Sequence, residues 1–192
     1  MPSTTRPHPS QRAVEPHPSP PRNITNNVDY TPNPSNSLPL SPSRASTQDH
    51  ILSLYSGSAS ESDMSVYAEQ AIYDDPFSYC DTRHKIAGQW YGIPKLFAKS
   101  ETLATEVTAS TEHELSWKQR QRYTFPGMGF GKTVDSLVTL RLEGGGNGDG
   151  EKVVYHKDMW NGKDYDHEGL GAKIKKLNGD KLTHITQPPE KI

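Results

Sequence analysis

Two residues of this 192-residue chain could move a proton as a pair: His156 and Asp158, two apart in the run Val153-Val154-Tyr155-His156-Lys157-Asp158-Met159-Trp160. On a strand, residues two apart share a face, so this spacing sets an imidazole beside a carboxylate together with Val154 and Trp160. A carboxylate that orients an imidazole raises its basicity, which suits acid–base work near neutral pH. Gln119 and Gln121 alternate in the same way and could offer amide groups from a neighbouring strand. Tyr73, Asp74 or Asp75, and Trp90 could close the pocket from another side. A bland alternative stands beside this one: His156 and Asp158 as interior polar groups bonded to each other or to backbone, and Asp74-Asp75-Pro76 as a structural turn.

Other apparent motifs fail on spacing. The segment Pro126-Gly127-Met128-Gly129-Phe130-Gly131-Lys132-Thr133 contains Gly-Lys-Thr, but Pro126 stands where a phosphate loop needs its first glycine. Residues 134–142 then alternate as a strand where a helix would have to begin. Asp164 to Gly169 opens like a calcium loop, yet its twelfth position is Lys175 instead of the bidentate glutamate. Neither glycine cluster has the dinucleotide spacing. No metal and no cofactor are expected.

Elements that could position the pair follow from periodicity. Ser46 to Asp49 reads as a capping box opening a short helix through Ile51, Leu52 and Tyr55, with Gly57 ending it. Met64, Tyr67 and Ala71 lie at spacings of three and four, with Ser62 or Asp63 as N-cap, which predicts a second helix that runs through Tyr73 and stops at Asp74-Asp75-Pro76. A third is expected over 86–99, divided or kinked by Pro94. Beyond Ser100 the period becomes two. Leu103, Thr105, Val107, Ala109, Thr111 and His113 are expected on one side of a strand, and Leu115, Trp117, Gln119, Gln121, Tyr123 and Phe125 on one side of the next. Two more strands are expected over 133–143 and 152–160, joined by the glycine-rich loop 144–150. A final amphipathic helix carrying Leu170, Ile174 and Leu177 should stop at Asn178-Gly179. Helices before a long antiparallel meander predict an α+β fold, with one strongly curved sheet and helices in its concavity.

Composition divides the chain. Residues 1–47 hold eleven of the sixteen prolines, no glycine, no lysine and one aromatic residue, Tyr30. Such a segment buries too little apolar surface to offset the entropy of ordering it, so a disordered tail is expected over 1–47. Ser19-Pro20, Thr31-Pro32 and Ser41-Pro42 are candidates in it for proline-directed phosphorylation. Residues 48–192 hold all three tryptophans, all four phenylalanines and eight of the nine tyrosines, enough for one core. The formal net charge of −2 gives no footprint for nucleic acid. No apolar run suits a membrane span. The single cysteine, Cys80, cannot form an intrachain disulfide, which fits an intracellular, cytoplasmic protein.

In Tyr67, Ala68, Tyr73, Asp74, Asp75 and Pro76 the chain resembles the nuclear-transport-factor-2-like superfamily, and within it the SnoaL-like proteins of eukaryotes such as fungi. The resemblance implies a cone-shaped domain over 48–192. It names no reaction, because the superfamily holds dehydratases, isomerases, cyclases, carriers and interaction modules. The paired histidines and tyrosines of its dehydratase branch are not reproduced here. Two readings remain. One is a non-catalytic module that takes a small apolar ligand in the cone, or a protein partner, and forms a homodimer through the sheet by way of Lys118, Arg120, Arg122, Asp135, Leu137 and Arg141. The other is a cofactor-independent isomerase, cyclase or dehydratase using His156 with Asp158, with Tyr73, Asp74, Trp90, Gln119, Gln121 and Trp160 around the ligand.

Overall fold

The computed structural model describes residues 29–58, 60–127, 130–144, 150–161 and 169–189, the last with backbone alone over 169–176. Residues 1–28 of the expected tail, most of the glycine-rich loop, the calcium-like segment at 164–168 and residues 128–129 of the phosphate-loop-like segment lie outside that set. The fold is α+β. Six strands, β1 (Tyr67–Asp74), β2 (Tyr79–Cys80), β3 (Lys99–Ser110), β4 (Glu114–Thr124), β5 (Gly131–Glu143) and β6 (Lys152–Trp160), form one sheet in the order β2-β1-β6-β5-β4-β3. Every pairing is antiparallel except that of β1 with β6. The helices are α1 (Pro42–Tyr55), α2 (Glu61–Met64), α3 (Arg83–Trp90), α4 (Ile93–Leu96) and α5 (Gly169–Thr186).

The second expected helix is a strand. Val66, Tyr67, Ile72 and Tyr73 are β-formers, and residues 67, 71 and 73 keep the even spacing of one strand face, all three buried in the core. A spacing of four satisfies both periods, so Tyr67 and Ala71 could not distinguish them. Pairing with β6, Tyr73 beside His156, decides it. Met64 belongs instead to the single turn α2, capped by the Ser60 hydroxyl, which accepts from the Asp63 amide at 3.0 Å.

The boundary expected at residue 47 falls within α1. Ser41 is its N-cap and Pro42 its first residue, a favoured start because proline lacks the amide that no turn would satisfy. Upstream, Tyr30 is buried, the Asn33 amide donates to Glu106 at 2.7 Å, and the Leu38 amide donates to the Val107 carbonyl at 3.0 Å. Residues 29–40 therefore lie along β3. Glu106, outward on that strand, is buried for this reason and pairs with Lys118 at 3.2 Å.

Bulges explain the remaining departures in the sheet. The β3–β4 register shifts between Thr102 and Ala104 and again between Val107 and Ala109, so β3 does not keep one face throughout. Val107 enters the core, whereas Leu103 is exposed. On β4 the alternation holds, with Leu115, Trp117, Gln119, Gln121 and Tyr123 all buried. A shift between Arg141 and Leu142 leaves Val154 as the extra residue on β6, and Val153 rather than Val154 joins the core with His156. Pro94 divides the third helix as expected, giving α3 and α4. The last helix passes Asn178-Gly179 and runs to Thr186. Gly179 is required there by packing: a Cβ would collide with the Tyr79 carbonyl oxygen and approach its carbon to 2.9 Å, so α5 rests directly on β2.

Arg44 fixes α1 to the loops at one end of the sheet. Its guanidinium donates to the Thr111 carbonyl, to the Glu112 carbonyl at 3.0 Å and to the Ser110 hydroxyl at 3.0 Å, and pairs with Glu151 at 3.0 Å. Lysine keeps the charge but not the planar fork that serves these acceptors together. Arg44→Ala should lower unfolding free energy by about 3–5 kcal/mol, as breaking a buried pair does. Arg44→Lys should recover only part of it, both measured by urea denaturation.

Candidate functional site

Burial turns the inner row of β6 into a polar chain within an aromatic core. His156 and Asp158 are 0% and 3% exposed. Tyr55, the last residue of α1, donates its hydroxyl to Asp158 Oδ2 at 2.8 Å and lies 3.3 Å from His156 Nε2. With that hydroxyl proton committed to Asp158, the Tyr55 oxygen accepts from Nε2–H. His156 Nδ1 then accepts from the Tyr67 hydroxyl at 2.7 Å. Trp160 Nε1 adds a donor to Asp158 Oδ2 at 3.2 Å. Every polar atom of His156 is thus bonded while the ring is neutral, and burial pushes its pKa down to about 3.

Asp158 differs. Desolvation raises its pKa to about 7, with Asp75 pushing the same way and Tyr55, Ser136 and Trp160 opposing. Its Oδ1 is buried and has no partner at hydrogen-bonding distance, although the Ser136 hydroxyl lies near enough to the carboxyl group to favour its charged form. Asp158 also lines a cavity of about 200 Å³ with Tyr55, Tyr73, Phe77, Trp90, Phe97, Tyr123 and Trp160. The wall is a set of ring contacts: Trp90 meets Tyr55 and Tyr73 edge-on at 4.8 and 5.2 Å, and Trp160 stacks on Tyr123 at 6.2 Å. Asp75, in the corner after β1, adds a second carboxylate. It accepts from the amides of Phe77 and Ser78 at 2.7 and 2.6 Å and from the Tyr73 hydroxyl at 3.0 Å.

Of the residues expected at the site, Tyr73, Trp90, Asp158 and Trp160 line the cavity. His156 lies behind it and Asp74 on the other face of the sheet, where the Tyr155 hydroxyl donates to it at 3.2 Å and Lys157 approaches to 3.7 Å. Neighbours on a strand face opposite ways, so Tyr73 and Asp74 could not both point inward. Gln119 and Gln121 point inward but do not reach the cavity. Gln119 accepts from Trp117 Nε1 at 2.9 Å and donates to Gln121 at 3.2 Å, and Gln121 donates to the Tyr55 carbonyl at 3.3 Å. Gln121 thereby satisfies the C-terminal end of α1, and Gln119 supports it. Of the alternatives Asp74 and Asp75 it is Asp75 that lines the cavity, and Tyr55, Gln89 and Tyr123 are lining residues that sequence reasoning left out of the ligand set. Tyr123 alone carried a signal, the inward alternation of β4. Among the described residues no cluster of His, Cys, Asp and Glu suits a metal ion.

The two shifted groups act oppositely on stability. His156, with its folded pKa lowered from 6.5 to about 3, makes stability fall as pH drops from 6.5 toward 3, because the unfolded chain binds the proton first. Asp158, raised from 3.8 to about 7, contributes stability that is full below 3.8 and lost as pH rises through about 7. Between about 3.8 and 6.5 the slopes oppose. Asp158→Asn removes one of them. The variant should match or exceed the wild type in stability at pH 8, and lose stability more steeply between pH 6.5 and 4, as read from denaturation midpoints across pH.

No protein-family model matches the chain, and no curated protein matches it. Solved structures do. A hypothetical protein of ketosteroid isomerase-like fold from Catenulispora acidiphila, in complex with trimethylamine, superposes with a TM-score of 0.50 at 13% identity, over 68% of this chain and 92% of its own. A nuclear-transport-factor-2-like protein from Anabaena variabilis superposes with a TM-score of 0.52 at 9% identity, over 62% of this chain and 86% of its own. At these identities the likeness is one of fold, and the fold is the cone of nuclear-transport-factor-2-like and ketosteroid isomerase-like proteins.

Proposed function

We propose that this protein binds a small, largely apolar molecule in the aromatic cavity, with Asp158 as its polar anchor. One observation carries the reading: a carboxylate oxygen without a partner, on a side chain almost wholly buried, at the wall of a cavity lined mainly by aromatic and aliphatic side chains. A binding site of this kind is concave and apolar with a few placed polar groups. In this reading His156 is structural, holding Tyr55 and Tyr67 in place, and no cofactor takes part.

A second reading is favoured by the Asp158 pKa of about 7. A carboxyl poised there can accept and return a proton at neutral pH, the step shared by cofactor-independent isomerases, cyclases and dehydratases. Asp158 would then be the acid–base group in place of the expected His156–Asp158 pair. Transfer of a ligand C–H proton to Oδ1 needs no partner to be displaced.

Native mass spectrometry of the purified protein should find a bound small molecule. Leu96, exposed at the cavity, marks its mouth; Leu96→Trp should lower occupancy at least several-fold while the chain stays folded. A wild-type protein carrying nothing, and taking up no apolar probe, would sink the reading. Loss of deuterium exchange into the bound molecule in Asp158→Asn, with binding retained, would select the catalytic version.

Self-association through the sheet belongs to the same proposal. Arg120 spends its guanidinium on Asp135, at 2.7 Å to each oxygen, and Lys118 pairs with Glu106, so these charges are satisfied within one chain. A second copy would meet the outward face at Arg122, Leu137 and Arg141, away from the contacts of residues 31–38 with Glu106, Val107 and Arg120. Sedimentation equilibrium at tens of micromolar should show a dimer that Leu137→Asp dissociates.

A further inference from the structure

The charge balance of the cavity narrows its ligand. Two carboxylates, Asp158 and Asp75, line it, and among the described residues of its wall there is no lysine, arginine or histidine. Asp75 is held by two backbone amides and the Tyr73 hydroxyl, whereas Asp158 Oδ1 has no donor. An aromatic wall favours a cation, which a ring face attracts. On the α3 side the Gln89 Nε2 is also buried without a partner and lines the same cavity, an amide donor awaiting an acceptor.

We propose that the molecule bound here is a small protonated amine, its N–H donating to Asp158 Oδ1, its alkyl groups against Trp160, Tyr123 and Trp90, and an oxygen acceptor a few bonds away receiving Gln89 Nε2–H. This rests on the ligand-binding reading above. An ammonium supplies what the site lacks: a countercharge for Asp158, a donor for Oδ1, and methyl groups that replace no polar contact. A neutral ketone or alcohol would leave the charge unanswered. An anion would meet two carboxylates.

The pH dependence follows from the groups that face Asp158: Tyr55 from α1, Tyr73 from β1, Asp75 from the corner after β1, Tyr123 from β4, Ser136 from β5, and His156 and Trp160 on β6. The tyrosines are raised above their ordinary values by burial and His156 is lowered to about 3, so all stay neutral between pH 5.5 and 8. Asp158, with its pKa near 7, changes charge within that range.

The probes are 2-(dimethylamino)ethanol and its uncharged isostere 3-methylbutan-1-ol, titrated by amide chemical shifts or calorimetry at pH 8 and pH 5.5. The amine should bind at least about tenfold more tightly than the isostere at pH 8, the usual size of a charge-assisted hydrogen bond. At pH 5.5 most of that preference should vanish as Asp158 takes up its proton. Asp158→Asn keeps acceptors for Tyr55 and Trp160 and should abolish the preference at both pH values while leaving the isostere bound. Gln89→Leu should weaken both probes alike. Equal binding of the two at pH 8, or a preference that survives in Asp158→Asn, overturns this inference and leaves the binding site standing. Failure of both probes, with no small molecule on the purified protein, overturns the site as well.

Discussion

A neutral imidazole held between two tyrosine hydroxyls is the interaction on which the interior depends. Tyr67 from β1 and Tyr55 from α1 meet His156 from β6, so one buried ring ties three elements that are far apart in sequence. The direction of the bonds is forced. Tyr55 gives its only proton to Asp158, so Nε2 must carry the ring proton and Nδ1 must accept. A charged imidazole would have no lone pair at Nδ1 to accept the Tyr67 hydroxyl proton and would face the full cost of burial. Because each member is satisfied, the chain specifies register as well as composition. A slip of β6 by one residue would put Lys157 among the rings, and the parallel pairing of Tyr73 with His156 would be lost.

The two faces of β6 show how the same rule serves opposite chemistry. Inward lies the His156–Asp158–Trp160 row, and outward Tyr155, Lys157 and Met159, all buried as well. Lys157 and Asp74 form the ion pair that makes burial tolerable on the outer side, with the Tyr155 hydroxyl completing the carboxylate. Asp74 and Asp75 are therefore adjacent residues with separate tasks. One neutralises the back of the sheet, and the other turns the chain from β1 toward β2 through amide bonds at the cavity.

How much was legible in the sequence depended on whether the signal was local. The β4 row from Leu115 to Tyr123 and the break at Pro94 were local and held. The start of α1 was local too, since Ser41-Pro42 is an N-cap followed by a first-turn proline, but in a proline-rich segment it was read as part of a tail. The β1 strand was not local: its spacing fits helix and strand equally, and only pairing with β6 separates them. The bulges at Leu103, Thr108 and Val154 are set by partner strands, so no count along β3 or β6 could place them. The site followed the same division. His156, Asp158 and Trp160 share a face as their spacing says, yet which of them reaches the cavity depends on Tyr55 and Tyr67 standing in front of the imidazole. Gln119 and Gln121 were read as ligand donors because inward amides need partners, and the partners are Trp117 and the end of α1.

Stability alone does not account for the carboxylate at position 158. Asparagine has nearly the same shape, would accept from Tyr55 and Trp160 through one oxygen, and would bury no charge. The aspartate instead carries a desolvation cost large enough to move its pKa to about 7, with a second carboxylate nearby and no cation in the described wall. Buried groups perturbed in this way, in a cavity and with an atom left unbonded, are characteristic of functional sites rather than of cores. His156 makes the contrast within the same strand, since it is equally buried and strongly shifted, but every one of its polar atoms is bonded and it touches no open space. A large shift at a closed, saturated position reports structure, and one at an open, unsaturated position reports a group kept for something that enters from outside. Among the described residues, Asp158 is the one that meets both conditions.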